Sequence, residues 1–197
     1  MATIRISDAR ARATQQVVKA QQYNMSKTAS VLLNDAYESQ TKSKLYDIFM
    51  SHPKKDDETI LGVKLLLEDL GHSVYVDWLE DPHLDRSNVS PATAETLRER
   101  MGACKSLFYT TTENSSSSKW MPWECGYFDG KKGKAAILPL TADGSAVFKG
   151  QEYLGLYPYI MVAPAQGETK KYLWVHSSPD TYVLFVDWLK GGVLSKH

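Results

Sequence analysis

An α/β fold is what this sequence predicts: a five-stranded parallel sheet with helices on both faces, preceded by a helical N-terminal segment. Three observations predict it. From Leu45 onward, short apolar runs of strand length alternate with longer segments whose apolar residues recur at helical spacing. Ser-Pro, Asp and Gly stand at the borders of those segments, where helices start and stop. The chain has 197 residues, 43% of them hydrophobic and 23% charged, enough for one domain with a sizeable core. Strand and helix in repeated alternation imply parallel strands, because each return to the sheet needs a crossover.

Each element has its own signal. Residues 1–43 are rich in Ala, Gln, Ser and Lys/Arg and carry neither proline nor glycine. "SDARARATQQVVKAQQYN" and "SKTASVLLNDAYESQ" read as helices with caps at Ser7 and Ser26. Their apolar stripe is thin (Val17, Val18, Val31, Leu32), which predicts docking on the main domain or on a partner. "KLYDIFMSH" is a buried first strand. "DDETILGVKLLLEDLG" follows as a helix capped by Asp56 or Asp57. It carries Ile60, Val63, Leu67 and Leu70 on one face and stops at Gly71. "HSVYVDW" is the second strand, and "LEDPHLDRSNV" is a polar loop without helical period. "SPATAETLRERMG" places Ser at a cap and Pro at the first helical position. "CKSLFYTTT" is the third strand, and "SSSSKWMPWECGYFDGKKG" a loop leading into a helix. "KAAILPL" and "YPYIMVAP" are the fourth and fifth strands, and "SSPDTYVLFVDWLKGG" reads as a last helix.

Composition removes several classes of function. There are 23 basic and 23 acidic residues, so general nucleic-acid or anionic-membrane binding is disfavoured as the main role. No apolar stretch approaches the ~18 residues that span a bilayer, and the first residues have no apolar signal core. A cytoplasmic chain with two free thiols, Cys104 and Cys125, is the simplest reading. The five histidines are scattered without metal-ligand spacing, so no metal site is expected. There is no G-x-G-x-x-G after the first strand and no G-x-S-x-G. Gly126 to Lys131 is one residue short of a P-loop, with Lys132 where Ser or Thr belongs.

Parallel sheets place sites at the carboxyl ends of their strands. There the sequence offers Glu124 between Trp120 and Cys125, with Trp123 read as core and Cys125 as packing. "YDIFMSHPKKD" (46–56) resembles the first conserved box of Toll/interleukin-1 receptor (TIR) domains. "LGHSVYVDWLEDPHLDRSNVSP" (70–91) resembles their second strand and BB loop. "MGACKSLFYTTTENSSSSKWMPWE" (101–124) resembles their third strand, loop and third helix. Trp120 and Glu124 stand at the Trp-x-x-x-Glu spacing of catalytic members. The resemblance covers roughly 44–190, so residues 44–197 are expected to form a TIR domain of flavodoxin-like fold and 1–43 its extension.

The resemblance implies an enzyme that cleaves NAD⁺ between nicotinamide and ribose, with NAD⁺ as substrate and no cofactor. Glu124 is then the catalytic carboxylate, stabilising positive charge that builds on the ribose. Trp120 lowers the local polarity and offers a face to the nicotinamide. Ser51 and His52 match the loop that lines the nucleotide site. His52 is either a donor to a phosphate or ribose oxygen or a loop histidine bonded locally. Asp77 is either a ribose contact or a cap at the sheet end, and Trp78 either core or ligand. The bacterial stand-alone type, which this chain resembles, includes the TIR subunit of Thoeris anti-phage systems. That likeness implies TIR–TIR self-association and a diffusible ADP-ribose-derived signal read by a separate effector. Two other readings stand beside it. One is a non-catalytic TIR–TIR adaptor. The other is a nucleoside 2-deoxyribosyltransferase, whose Glu-x-Gly-Tyr segment is similar to "WECGYFDGKKGKAAILPL".

Overall fold

The computed structural model describes residues 1–22, 27–39, 45–53, 56–76, 90–111, 118, 120–144 and 152–197. The chain opens with a two-residue strand, β1 (Ile4–Arg5), and two helices, α1 (Ile6–Gln22) and α2 (Ala29–Glu38). The alternating part follows: β2 (Tyr46–Ser51), α3 (Asp57–Asp69), β3 (Val74–Val76), α4 (Pro91–Gly102), β4 (Cys104–Thr111), α5 (Trp120–Lys132), β5 (Ala135–Thr141) and β6 (Tyr159–Pro164). A 3₁₀ turn, Glu152–Leu156, precedes β6.

These strands run in the order β3-β2-β4-β5-β6, and every adjacent pair among them is parallel. Counted from β2, this is the order 2-1-3-4-5 of a flavodoxin-like sheet, as the sequence predicts. Period-two alternation then sorts the strands' side chains onto two faces. Ile48, Met50, Phe108, Ala136 and Leu138 join one core with α1, α3 and Leu33 of α2. Phe49, Leu107, Tyr109, Ala135 and Ile137 join the other with α4 and α5. The chain winds one way from β2 to β3 and the other way to β4. The crevice of this topology therefore opens at the carboxyl ends of β2 and β4.

The helix borders follow the predicted chemistry. Asp56 accepts from the Thr59 N–H at the start of α3, and Gly71 (φ 93°) follows its end. Ser90 accepts from the Thr93 N–H at 3.2 Å, with Pro91 in the first turn of α4. The N-terminal helices differ in detail. Ser7 lies inside α1 rather than at its cap, Thr28 accepts from the Val31 N–H, and Ser26 lies outside the described residues. Val18 and Val31 are exposed, whereas Ala9, Ala13 and Leu33 are fully buried. Small residues face inward here because α1 approaches α3 so closely that a Cβ on Gly62 would lie 1.7 Å from the Ala9 carbonyl oxygen.

The C-terminal segment corrects an expectation. Residues 177–192, read as one helix, form part of an antiparallel extension: β7 (Lys171–Ser178), β8 (Thr181–Leu184), a five-residue helix α6 (Phe185–Leu189) and β9 (Ser195–Lys196). β7 pairs antiparallel with β6 on one side and β8 on the other, and β9 closes the edge. Tyr182, Val183 and Leu184 pair with β7 instead of coiling, since β-branched and aromatic residues gain most from cross-strand packing.

The N-terminus is threaded into the sheet. β5 and β6 share one register pair among the described residues, Ile137 with Tyr159. Beyond it β1 pairs with β5, Ile4 with Leu140 and Arg5 with Thr141, while Ala2 bridges Val162.

Candidate active site

β2 ends at Ser51 and β4 carries Tyr109 directly opposite it in register. In a parallel ladder such partners project to the same face, here the face covered by α4 and α5. α5 begins at the carboxyl end of the sheet, with Ser118 accepting from the Met121 N–H at 3.2 Å. Pro122 sits in its first turn, where the missing N–H costs no helical bond. This start aims Glu124 down onto the ends of β2 and β4. The Glu124 side chain is 1% exposed. Ser51, also 1% exposed, donates its hydroxyl to Glu124 Oε2 at 2.6 Å. That length is at the short end for a hydroxyl donor on an oxygen acceptor.

Trp120 opens α5, is 7% exposed, and meets Trp123 edge-to-face at 5.5 Å. Trp123 in turn stacks on Tyr127, and the Arg98 guanidinium lies over both rings. His52 is 5% exposed, and its Nδ1 lies 3.1 Å from the Pro53 carbonyl oxygen. The structure brings Ser51 and Glu124 together, with His52 following directly on Ser51 and Trp120 one turn before Glu124 on the same helix. Asp77, Trp78 and the loop 79–89 lie outside the described residues, as do Ser115 to Ser117.

Two tyrosines join this group without having been singled out in the sequence. Burial pushes the Tyr109 phenol well above its ordinary range, and Tyr153, Cys125 and Glu124 push the same way, so it stays protonated. Tyr153, from the 3₁₀ turn, hydrogen-bonds it. Register with Ser51 was the signal that would have found Tyr109. Burial pushes the Cys125 thiol up to about 11, with Asp129 and Glu124 adding to the push against a hydrogen bond from Tyr157. Among the described residues no group of three or more His, Cys, Asp and Glu could hold a metal ion.

The arrangement is a buried carboxylate bonded to a buried hydroxyl, with the Tyr109 phenol close by. Comparison with known proteins decides the family. The chain is 50% identical over 175 residues to a Bacillus cereus (strain MSX-D12) protein provisionally named 3' cyclic ADP-D-ribose synthase ThsB', a match covering 88% of this chain and 91% of that one. The chain belongs to the Thoeris-type TIR family. A second relative in the TIR family, provisionally named cyclic ADP-D-ribose synthase TIR2, comes from Cytobacillus dafuensis. It is 35% identical over 85 residues, which are 43% of this chain and 22% of that protein. No protein-family model matches the chain.

Proposed function

We propose that this chain is an NAD⁺-cleaving TIR enzyme of anti-phage defence. It releases nicotinamide and closes the remaining ADP-ribose into a cyclic signal. Half-identity to a protein named as a 3' cyclic ADP-D-ribose synthase supports the activity. The single observation in the fold that carries it is Glu124, buried at the sheet's crevice and held by Ser51.

The chemistry suits one carboxylate. The bond between ribose C1 and the pyridinium nitrogen breaks, and its electron pair leaves with nicotinamide. The leaving group departs neutral, so no general acid is needed. Positive charge builds on the ribose ring, opposite the Glu124 carboxylate, whose attraction is strengthened by exclusion of water. A ribose hydroxyl at the adenosine end then bonds to C1, and its proton passes to the carboxylate and on to solvent. Nicotinamide, a cyclic ADP-ribose and one proton balance the NAD⁺ consumed.

Trp120 is assigned the nicotinamide face, with His52, Asp77 and Trp78 as further substrate contacts. Likeness to the stand-alone TIR type supports the rest of the reading: cytoplasmic action, self-association through TIR–TIR contacts, and a separate effector reached by the diffusible product.

The test is incubation with NAD⁺ and mass analysis of the products. Wild type is expected to yield nicotinamide and a cyclic isomer of ADP-ribose. A folded Glu124→Ala variant is expected to lose at least about a hundredfold in kcat. Full activity in that variant sinks the assignment, and transfer of deoxyribose between deoxynucleosides in a parallel assay points to the transferase reading instead.

A further inference from the structure

A side chain expected to contact the nucleotide is committed elsewhere. The Ser51 hydroxyl donates to Glu124 Oε2 at 2.6 Å, and its residue is almost entirely enclosed. Its backbone is fixed at the end of β2 in the ladder with β4, in register with Tyr109. Glu124, by contrast, reaches the crevice on a side chain with three rotatable bonds from a helix 73 residues further along the chain. A carboxylate taken out of water needs a donor to stay ionised in place, and the rigid partner sets where it points.

We propose that Ser51 is a positioning residue for Glu124, holding the carboxylate in the rotamer that faces the reacting ribose, and that it does not itself bind substrate. This rests on the NAD⁺-cleaving reading of the site. The role separates from substrate binding in a way kinetics can read. A group that aligns the carboxylate acts on the transition state and moves kcat, whereas a group that contacts NAD⁺ equally in ground and transition states moves KM.

The experiment compares wild type, Ser51→Ala, Ser51→Thr and Glu124→Gln in NAD⁺ turnover, with thermal melts of each and of the Ser51→Ala/Glu124→Gln double variant. Ser51→Ala is expected to lower kcat about tenfold to a hundredfold, the cost of a misplaced catalytic group, with KM within about twofold. Ser51→Thr, which keeps the hydroxyl, recovers most of that loss. Raised KM at unchanged kcat overturns the proposal in favour of direct substrate contact, and an unchanged kcat with unchanged KM overturns it outright. The melts read the pair without turnover: shifts that fail to add in the double variant support the coupling, and additive shifts overturn it. If wild type releases no nicotinamide, the enzymatic reading falls while the melts still report on Ser51 and Glu124. Should Ser51→Ala not fold, Ser51→Cys, similar in volume and a weak donor, carries the same comparison.

Discussion

A cysteine reacts as its thiolate, and both cysteines here are kept from that form. Burial pushes Cys104 up to about 12 and Cys125 up to about 11, and each is nearly inaccessible. At pH 8 a thiol-specific disulfide reagent is therefore expected to label neither in the folded protein and both after denaturation. Rapid labelling of Cys125 in native protein would contradict its environment. Cys125 was readable in the sequence as packing because no activating neighbour adjoins it. Glu124 stood out in the sequence as a candidate because Trp120 precedes it by four residues. Its alliance with Ser51 was not, because the two meet only once β2 and α5 are brought together across 73 residues. The same holds for Tyr109, whose place beside Glu124 depends on strand register.

The contact between α1 and α3 is the tightest feature at the level of elements. A Cβ on Gly62 would meet the Ala9 carbonyl oxygen at 1.7 Å and its carbonyl carbon at 2.3 Å, and backbone cannot yield as a flexible side chain can. Gly62→Ala is expected to force the helices apart at a cost of about 1–3 kcal/mol. Measured by calorimetry, each kcal/mol lowers Tm by about 2–4 °C for a chain of this size. An unchanged Tm would mean that α1 docks more loosely. The helices with strong borders (Asp56, Ser90-Pro91, Gly71) were legible from the sequence. The inward face of α1 was not, since a face built of alanines leaves no hydrophobic stripe. The last helix misled for a related reason: "TYVLFVDWL" carries a strand's residues and a helix's spacing at once, and pairing with β7 decides between them. Lys132, part of the rejected phosphate-loop pattern, has a structural task instead. Its ammonium donates to the carbonyls of Met101 and Gly102 at the end of α4 and of Cys104 at the start of β4, satisfying acceptors left open where the helix stops.

Across the whole molecule, two histidines tie stability to pH. His176 stacks between Tyr159 and Tyr182, and its Nε2 finds no hydrogen-bond partner among the described residues. Burial lowers its affinity for a proton; the Ser178 carbonyl opposes this and the N-terminal ammonium assists. Burial lowers His72 likewise, against Asp47. Both are neutral above the ordinary value of 6.5, in folded and unfolded chains alike, so neither costs stability there. Below 6.5 the unfolded chain takes up protons that the folded one refuses, and stability falls as pH drops toward the lowered folded values. Tm is expected to decline between pH 7.5 and pH 5.5, roughly the window that histidine titration spans, and the slope to be shallower in His176→Phe. A flat or rising Tm over that window would contradict the burial of both rings. The parallel strands β2 to β6 were legible from the alternation of elements; the antiparallel β7 to β9, which carry His176, were not, because no crossover helix announces them.

The threading of the first residues between β5 and β6 has a consequence for biosynthesis. Thr3 shares a hydroxyl–hydroxyl bond of 2.7 Å with Thr141, 138 residues later. At about 5–20 residues per second, the head of the nascent chain waits on the order of ten seconds for the strand it joins. Until then the seam has no occupant, and a ribosome-bound fragment ending before β5 keeps Ile4 without a berth. The molecule is thus assembled like a clasp whose first-made half is fastened late, and stalled or truncated chains are expected to be sensed as unfinished by proteases.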